Sequence, residues 1–476
     1  MNTLSNLSLK EAQEQLKTQK ITSYALVQSC LDQIKTYDSK IKAYLSVFAD
    51  LAIEKARHAD KDIESNPQVF ETQPLIGIPI AIKDNFCTQG LNTTAASKVL
   101  ENYLPQYDAT VVSKLKKAGA IIIGKTNMDA WAHGSSTETS QFFTTHNPWD
   151  VSRLPGGSSG GSAAAIAARE AIVAIGSETA GSIRHPSSWC GVVGLKPTYG
   201  RISRYGLISM CSSTDCPGPI TKTVYDAAML LNILAGSDSK DATTIRKPAE
   251  NYLPEKIDLK KMKIGLPKEY FMDSMDKEVK TAVKQAADYY KSKGAQVVEI
   301  SLLDPKYAVA VYTIIQRSEV SSNLQRFDGI RYGNDRKYFG DEAKRRIMLG
   351  TFALSAGYYD QYYKKAQKVR RLMVEDFAKV FKQVNLIIAP TAPVTAMKIG
   401  STTNEPMFGE MQDILVEASS LAGLPGINLN CGFSSSGLPI GMQIIGPQFS
   451  EKLIINTAYT FEQATNWHTK KPNLII

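Results

Sequence analysis

Pro155-Gly156-Gly157-Ser158-Ser159-Gly160-Gly161-Ser162 runs straight into an alanine-rich stretch over residues 162–171. A short apolar run, 172–176, follows and opens into Ser177-Glu178-Thr179-Ala180-Gly181-Ser182. The order loop, helix, buried strand, loop places two serine-bearing turns at the ends of regular elements. Upstream, residues 76–82 form an apolar run containing Gly77 and Pro79 that ends at Lys83, and 120–124 form another that ends at Lys125-Thr126-Asn127. Short apolar runs bounded by turn residues predict buried strands. Further strands are expected at 263–266, 295–300, 386–389, 426–431 and 441–445, with helices between them. Strands alternating with helices predict an α/β fold, one large domain built on a central mixed β-sheet covered by helices on both faces.

The N-terminal segment reads as two helices. Ser8 and Glu11 form a capping box ahead of Leu9, Ala12 and Leu16. A second helix begins after Thr22, with Leu26, Val27, Cys30, Leu31 and Ile34 along one stripe. No repeat, low-complexity tract or long Pro/Gly linker divides the 476 residues.

Composition excludes several classes. With 43% hydrophobic and 21% charged residues the chain is neither disordered nor collagen-like. No run approaches the roughly 20 apolar residues of a membrane span. Met1-Asn2-Thr3-Leu4-Ser5 lacks the basic and apolar stretches of a secretory signal, so a cytoplasmic protein with no membrane attachment is expected. Cys30, Cys87, Cys190, Cys211, Cys216 and Cys431 are scattered without paired CxxC spacing, which predicts reduced structural thiols and no metal site. The net charge of +9 weakly favours meeting a polyanion. Lys344-Arg345-Arg346 and the run Lys364, Lys365, Lys368, Arg370, Arg371 lie in helical patterns, as solvated faces or as groups turned towards an anion.

Chemistry concentrates in the two serine loops. Glycines allow positive φ and let backbone N–H groups converge, as an oxyanion hole requires. Apolar helix-forming sequence follows the first loop immediately, which argues against a linker. A phosphate-binding loop needs a lysine after its glycines, and none is present. Gly156-Gly157-Ser158-Ser159-Gly160 matches a nucleophile elbow, but that device needs a later histidine, and only His185 and His468 follow. Lysine is the alternative base. Its ordinary pKa near 10.4 must be lowered by burial before it can accept a proton at neutral pH, and Lys83 at the end of an apolar strand is so placed.

Residues 77–85 (Gly-Ile-Pro-Ile-Ala-Ile-Lys-Asp-Asn), 124–129 (Gly-Lys-Thr-Asn-Met-Asp) and the two serine loops together resemble the amidase signature family, and the spacing from Lys83 to Ser158 to Ser182 agrees with it. The resemblance implies a Lys83–Ser158–Ser182 triad, with Ser182 as nucleophile, Ser158 as bridge and Lys83 as base. It further implies that the N–H groups of Thr179, Ala180, Gly181 and Ser182 hold the oxyanion. Asn147-Pro148-Trp149-Asp150, residues 194–201, 203–207, 322–333 and 344–368 are similar to one branch, the A subunits of glutamyl-tRNA(Gln)/aspartyl-tRNA(Asn) amidotransferases. The likeness runs from Ser8 to about Phe461. It implies an amidase domain over 1–476: N-terminal helices in 1–70, the signature core with the triad in 75–225, and the remaining sheet, pocket helices and C-terminal helix in 226–476. For that branch it implies glutamine as the source of ammonia, B and C subunits as partners, and a misacylated tRNA reached through the complex. No cofactor is expected on this chain, with ATP and Mg²⁺ used at the B subunit. By the same resemblance Arg346 and Asp413 match positions that grip the glutamine carboxylate and amine, and His133 and Ser159 are expected beside the substrate.

The chain also departs from the branch. Glu178 stands for Asp and Ala180 for Gly, where a positive φ would be strained. His133 stands for Met, Phe143 for Gly, Thr313 for Tyr and Cys216 for Gln, and residues 416–420 replace a Thr-x-Pro-x-Asn stretch. These predict a competent triad with altered glutamine affinity or partner coupling. The alternatives are a stand-alone amidase for small or fatty amides, tested by activity without partners, and a decayed scaffold, tested by failure of Ser182 to label with a reactive-serine probe.

Overall fold

The computed structural model describes residues 3–474 except 332, 404 and 406. Tyr332, within one of the resembling motifs, therefore lies outside the described residues. Among the described residues eleven strands form one mixed sheet: β1 (Tyr44–Val47), β2 (Pro79–Lys83), β3 (Ile121–Thr126), β4 (Val173–Glu178), β5 (Val193–Lys196), β6 (Cys216–Thr221), β7 (Lys263–Pro267), β8 (Gln296–Ile300), β9 (Leu386–Pro390), β10 (Gly426–Phe433) and β11 (Pro439–Ile445). Their order is β1-β3-β2-β4-β6-β5-β10-β11-β9-β7-β8. Helices flank this sheet, and the α/β expectation holds.

Register sets the site. β2 runs parallel to both β3 and β4, with Ile82 opposite Ile175. The C-terminal ends of β2 and β4 therefore meet at one edge, which brings Lys83 beside Ser177. Every residue of β2, β3 and β4 is buried. Burying each large aliphatic side chain there contributes about 1.5–3 kcal/mol, so the strand ends sit on a stiff base. Open α/β sheets place their ligands at such ends.

Expected and observed elements differ at identifiable places. The run 76–82 starts as strand only at Pro79, because Gly77 takes φ +78° and Ile78 N–H closes a turn on Leu75. The helix expected over 162–171 spans Gly160–Ala167 instead. Arg169 at φ +64° and a Glu170 N–H to Ala165 O bond turn the chain out of it. β1, β5 and β6 were not expected. β6 reads Cys-Pro-Gly-Pro-Ile-Thr, a poor strand pattern. It pairs along five positions with β4, while β5 reaches only Ile220 and Thr221, so the proline stretch lacks a ladder partner on one side. The N-terminal reading stands: Ser8 and Glu11 cap Leu9–Lys17 reciprocally, and Thr22 caps Ser23–Ile41. All six cysteines are free and buried. No described helix is long and apolar enough to cross a membrane.

Candidate active site

Lys83 is fully buried at the end of β2. Its Nζ lies 2.7 Å from Ser158 Oγ and donates to the Ser177 carbonyl at 3.1 Å. Burial pushes the Lys83 ammonium down to about 7, against the pull of Asp129, Asp215 and Glu178. A lysine lowered into this range can take a proton from Ser158 near neutral pH.

Ser158 enters the Gly160–Ala167 helix through a cis Gly157–Ser158 peptide, and its carbonyl accepts from Asp129 N–H at 3.3 Å. Glycine at 157 is required by close approach, since a Cβ there would overlap Asp129 Oδ2. Only Gly156 of this loop's glycines takes positive φ. Asp129 is itself clamped by Ser136 N–H and the Thr139 hydroxyl.

The Ser182 loop leaves β4 and enters the Arg184–Cys190 helix. The Ser182 carbonyl accepts from Ser159 N–H at 3.2 Å, which ties the two serine loops together. Glu178 Oε2 takes the Ile183 and Arg184 N–H groups at 3.0 Å each, and Oε1 takes Arg184 Nε at 2.9 Å and Nη2 at 2.6 Å. Thr179 is held by Asp215 at 2.7 Å. Among the described residues, no acceptor meets the N–H groups of Thr179, Ala180, Gly181 or Ser182. Ala180 does not take positive φ, so the strain anticipated for alanine there does not arise.

Ser159, expected beside the substrate, is committed elsewhere. Its hydroxyl donates to Ser177 O at 3.1 Å and accepts Ser177 N–H at 3.3 Å, so this side chain braces β4. His185 does not serve as a serine's base. Burial pushes it down to about 3, its ring packs edge-on against Trp189, and its Nδ1 sits 3.4 Å from Asp413 Oδ1.

Next to this centre lies a cavity of about 590 Å³ whose lining includes His133, Ser135, Glu342, Arg346 and Glu410. His133 is fully buried, neither ring nitrogen has a partner, and burial with Arg346 and Arg317 holds it well below the usual imidazole range. It is neutral. Arg346 pairs with Glu342 at 2.6 Å and Glu410 at 3.5 Å, so it is an ion-paired guanidinium at the cavity wall. Asp413 joins the two regions: Ser135 donates to its Oδ2 at 2.9 Å, and its Oδ1 occupies the space that a Cβ on Gly181 would need. Burial pushes the Asp413 carboxyl well above the carboxylate range.

Sequence reading does not single out Asp129, Asp215, Arg317, Glu410 or Glu417. Arg317 pairs with Glu410 at 3.0 Å while its Nε and Nη1 lack partners, and both Glu417 oxygens are buried without one. Asp129 stands inside a quoted motif and Glu417 inside the departing segment 416–420; Asp215, Arg317 and Glu410 carry no local signal. Phe143 offers its carbonyl to Asn127 rather than its ring to the cavity wall. Among the described residues no His, Cys, Asp and Glu grouping could hold a metal ion.

The amidase family model matches residues 25–455. The glutamyl-tRNA(Gln) amidotransferase A subunit of Carboxydothermus hydrogenoformans is 49% identical, covering 98% of this chain and 99% of its own. The structure of the glutamyl-tRNA(Gln) amidotransferase A subunit from Thermotoga maritima superposes with a TM-score of 0.83 at 40% identity, covering 100% of this chain and 99% of its own. A 6-aminohexanoate cyclic dimer hydrolase superposes with a TM-score of 0.87 at 25% identity, covering 99% of each chain. With a buried lysine against one serine, a second serine loop tied to the first, and these likenesses along its whole length, the chain belongs to the amidase family.

Proposed function

We propose that this chain is the glutamine-hydrolysing A subunit of a glutamyl-tRNA(Gln) amidotransferase. The observation that carries the chemistry is the buried contact of 2.7 Å between Lys83 Nζ and Ser158 Oγ. The full-length identity of 49% to a named A subunit supports the substrate. Ser182 Oγ attacks the glutamine carboxamide carbon while its proton passes to Ser158 and the Ser158 proton to neutral Lys83. N–H groups of residues 179–182 stabilise the oxyanion. Collapse breaks the C–N bond, and the relay returns a proton to the leaving nitrogen, giving ammonia and a Ser182 acyl ester. Water, deprotonated through the same relay, releases glutamate. Asp413 and Arg346 receive the substrate's ammonium and carboxylate beside His133. Residues 75–225 thus carry the triad and one wall of the pocket, and 226–476 add the pocket helices.

On this proposal ammonia passes to a B subunit that uses ATP and Mg²⁺ on the misacylated tRNA, with a C subunit completing a cytoplasmic complex. An exposed apolar surface supports a partner. Met348 is 72% exposed and Phe352 48%, and Phe352, Tyr358 and Tyr362 cluster on one face beyond the cavity-lining end of the Asp341–Leu354 helix. Such a patch marks an interaction site.

The test is ammonia release from glutamine by the isolated chain and by the chain co-purified with its partners. Strong stimulation, abolished in Ser182→Ala, supports the proposal. Equal activity without partners, or activity only on other amides, favours a stand-alone amidase. That second reading draws on the fold likeness to the cyclic dimer hydrolase, since one fold hosts several amide substrates.

A further inference from the structure

We infer that Ser420 is a positioning residue for the oxyanion site, setting the plane of the Ala180–Gly181 peptide so that the Gly181 N–H faces the reacting carbonyl. The inference rests on Ser182 being the nucleophile.

The Ala180–Gly181 peptide is trans, so its C=O and N–H point in opposite directions. Whatever holds the Ala180 carbonyl on one side presents the Gly181 N–H on the other. Two donors approach that carbonyl: Ser420 Oγ at 2.5 Å and Arg184 Nη2 at 3.3 Å. Arg184 has five N–H hydrogens, and its shorter contacts use all of them. Nε serves Glu178 at 2.9 Å, Nη1 serves Ser419 at 3.0 Å and Gln443 at 2.7 Å, and Nη2 serves Glu178 at 2.6 Å and Ser420 at 2.9 Å. The Arg184 contact to Ala180 O is therefore the weak one. Ser420 has one hydroxyl hydrogen, and its other acceptor, Glu178 Oε1 at 3.1 Å, already takes two bonds from Arg184. The hydrogen goes to Ala180. Ser420 is fully enclosed in the Glu417–Leu421 helix, within the segment that departs from the resembling branch. On the opposite side of the peptide, the Gly181 N–H meets no acceptor among the described residues.

The experiment compares Ser420→Ala, Ser420→Thr and Ser182→Ala in the chain co-purified with its partners. Removing the hydroxyl frees the peptide to rotate, so Ser420→Ala should lose about tenfold or more in kcat for ammonia release. Its KM for glutamine should stay within about twofold, and Ser420→Thr should recover most of the rate. An aldehyde analogue of glutamine, which forms an oxyanion on a serine, should weaken in step with kcat. Glutamate binding should not change. Normal kcat in Ser420→Ala beside an inactive Ser182→Ala overturns the role of Ser420 and leaves the nucleophile assignment standing. Equal loss of kcat, KM and melting temperature, unrecovered by threonine, also overturns it, since that is general destabilisation. Full activity in Ser182→Ala removes the reading on which the inference rests.

Discussion

The serine–lysine centre and the adjoining cavity are both buried and polar, but they are built on opposite terms. At the centre, charged groups are matched: Glu178 takes four N–H contacts, and all five Arg184 hydrogens find acceptors. Around the cavity, His133 has two unpartnered nitrogens, and Arg317, paired with the cavity-wall residue Glu410, has two more. A buried polar atom without a partner costs about 1–3 kcal/mol. Matching of that kind fixes geometry before substrate arrives, as preorganised catalysis requires. Mismatch is tolerated where a polar ligand supplies the missing bonds. On the proposed function chemistry falls to the first region and recognition to the second, so substitutions should divide into rate effects and affinity effects.

The largest effect that sharpens this division is Ser182→Ala, expected to lower ammonia release by at least about 10⁴-fold with an unchanged melting temperature. A residual rate above about 1% would take the nucleophile away from Ser182. Lys83→Ala should cost about 10³-fold or more, and Ser158→Ala about 10²-fold or more. The wild-type rate should rise with pH through about 7 and then level, because Lys83 must be neutral to accept a proton and sheds its own near that pH. A pH-independent rate from 6 to 8 would break the relay.

Asp413→Asn acts from the other region. Glutamine KM should rise about tenfold to a hundredfold, kcat changing less. Gly181→Ala tests the join between the two regions. Its Cβ would overlap Asp413 Oδ1 and sit 2.5 Å from Val416 Cγ2. Both kcat and KM should worsen by about tenfold, and a pure kcat effect would place Asp413 away from substrate. The smallest effect is expected for Ser159→Ala. Activity should stay within a few-fold while stability falls by about 1 kcal/mol, the worth of a framework hydrogen bond. A KM rise of tenfold would return Ser159 to the substrate.

Legibility in the sequence followed the locality of each signal. The apolar runs that became β2, β3, β4, β7 and β9 to β11 announced themselves because buried strands need continuous aliphatic sequence. β6 did not, because Pro217 and Pro219 are tolerable only where a neighbouring strand is absent, and that is a property of the assembled sheet. Gly157 and Gly181 suggest conformational freedom in the sequence, yet neither takes positive φ; each makes room for an aspartate oxygen from a distant segment. Arg346 is legible as a cation but not as one held between Glu342 and Glu410. Ser159 sits in the correct loop, and Ser177 of β4 claims its hydroxyl.

What the chain carries in its linear order is the inventory and the spacing: a lysine ending an apolar strand, two Gly/Ser turns, and a match to the amidase family across residues 25–455. Those depend on local pattern, which a reader of one dimension can follow. The pKa of Lys83, the orientation of the Ala180 carbonyl and the bridging place of Asp413 arise from groups far apart in the chain, over 200 residues for the last two, meeting in a dry interior. Desolvation and hydrogen-bond competition act through space, so they come into being only when the sheet closes over them.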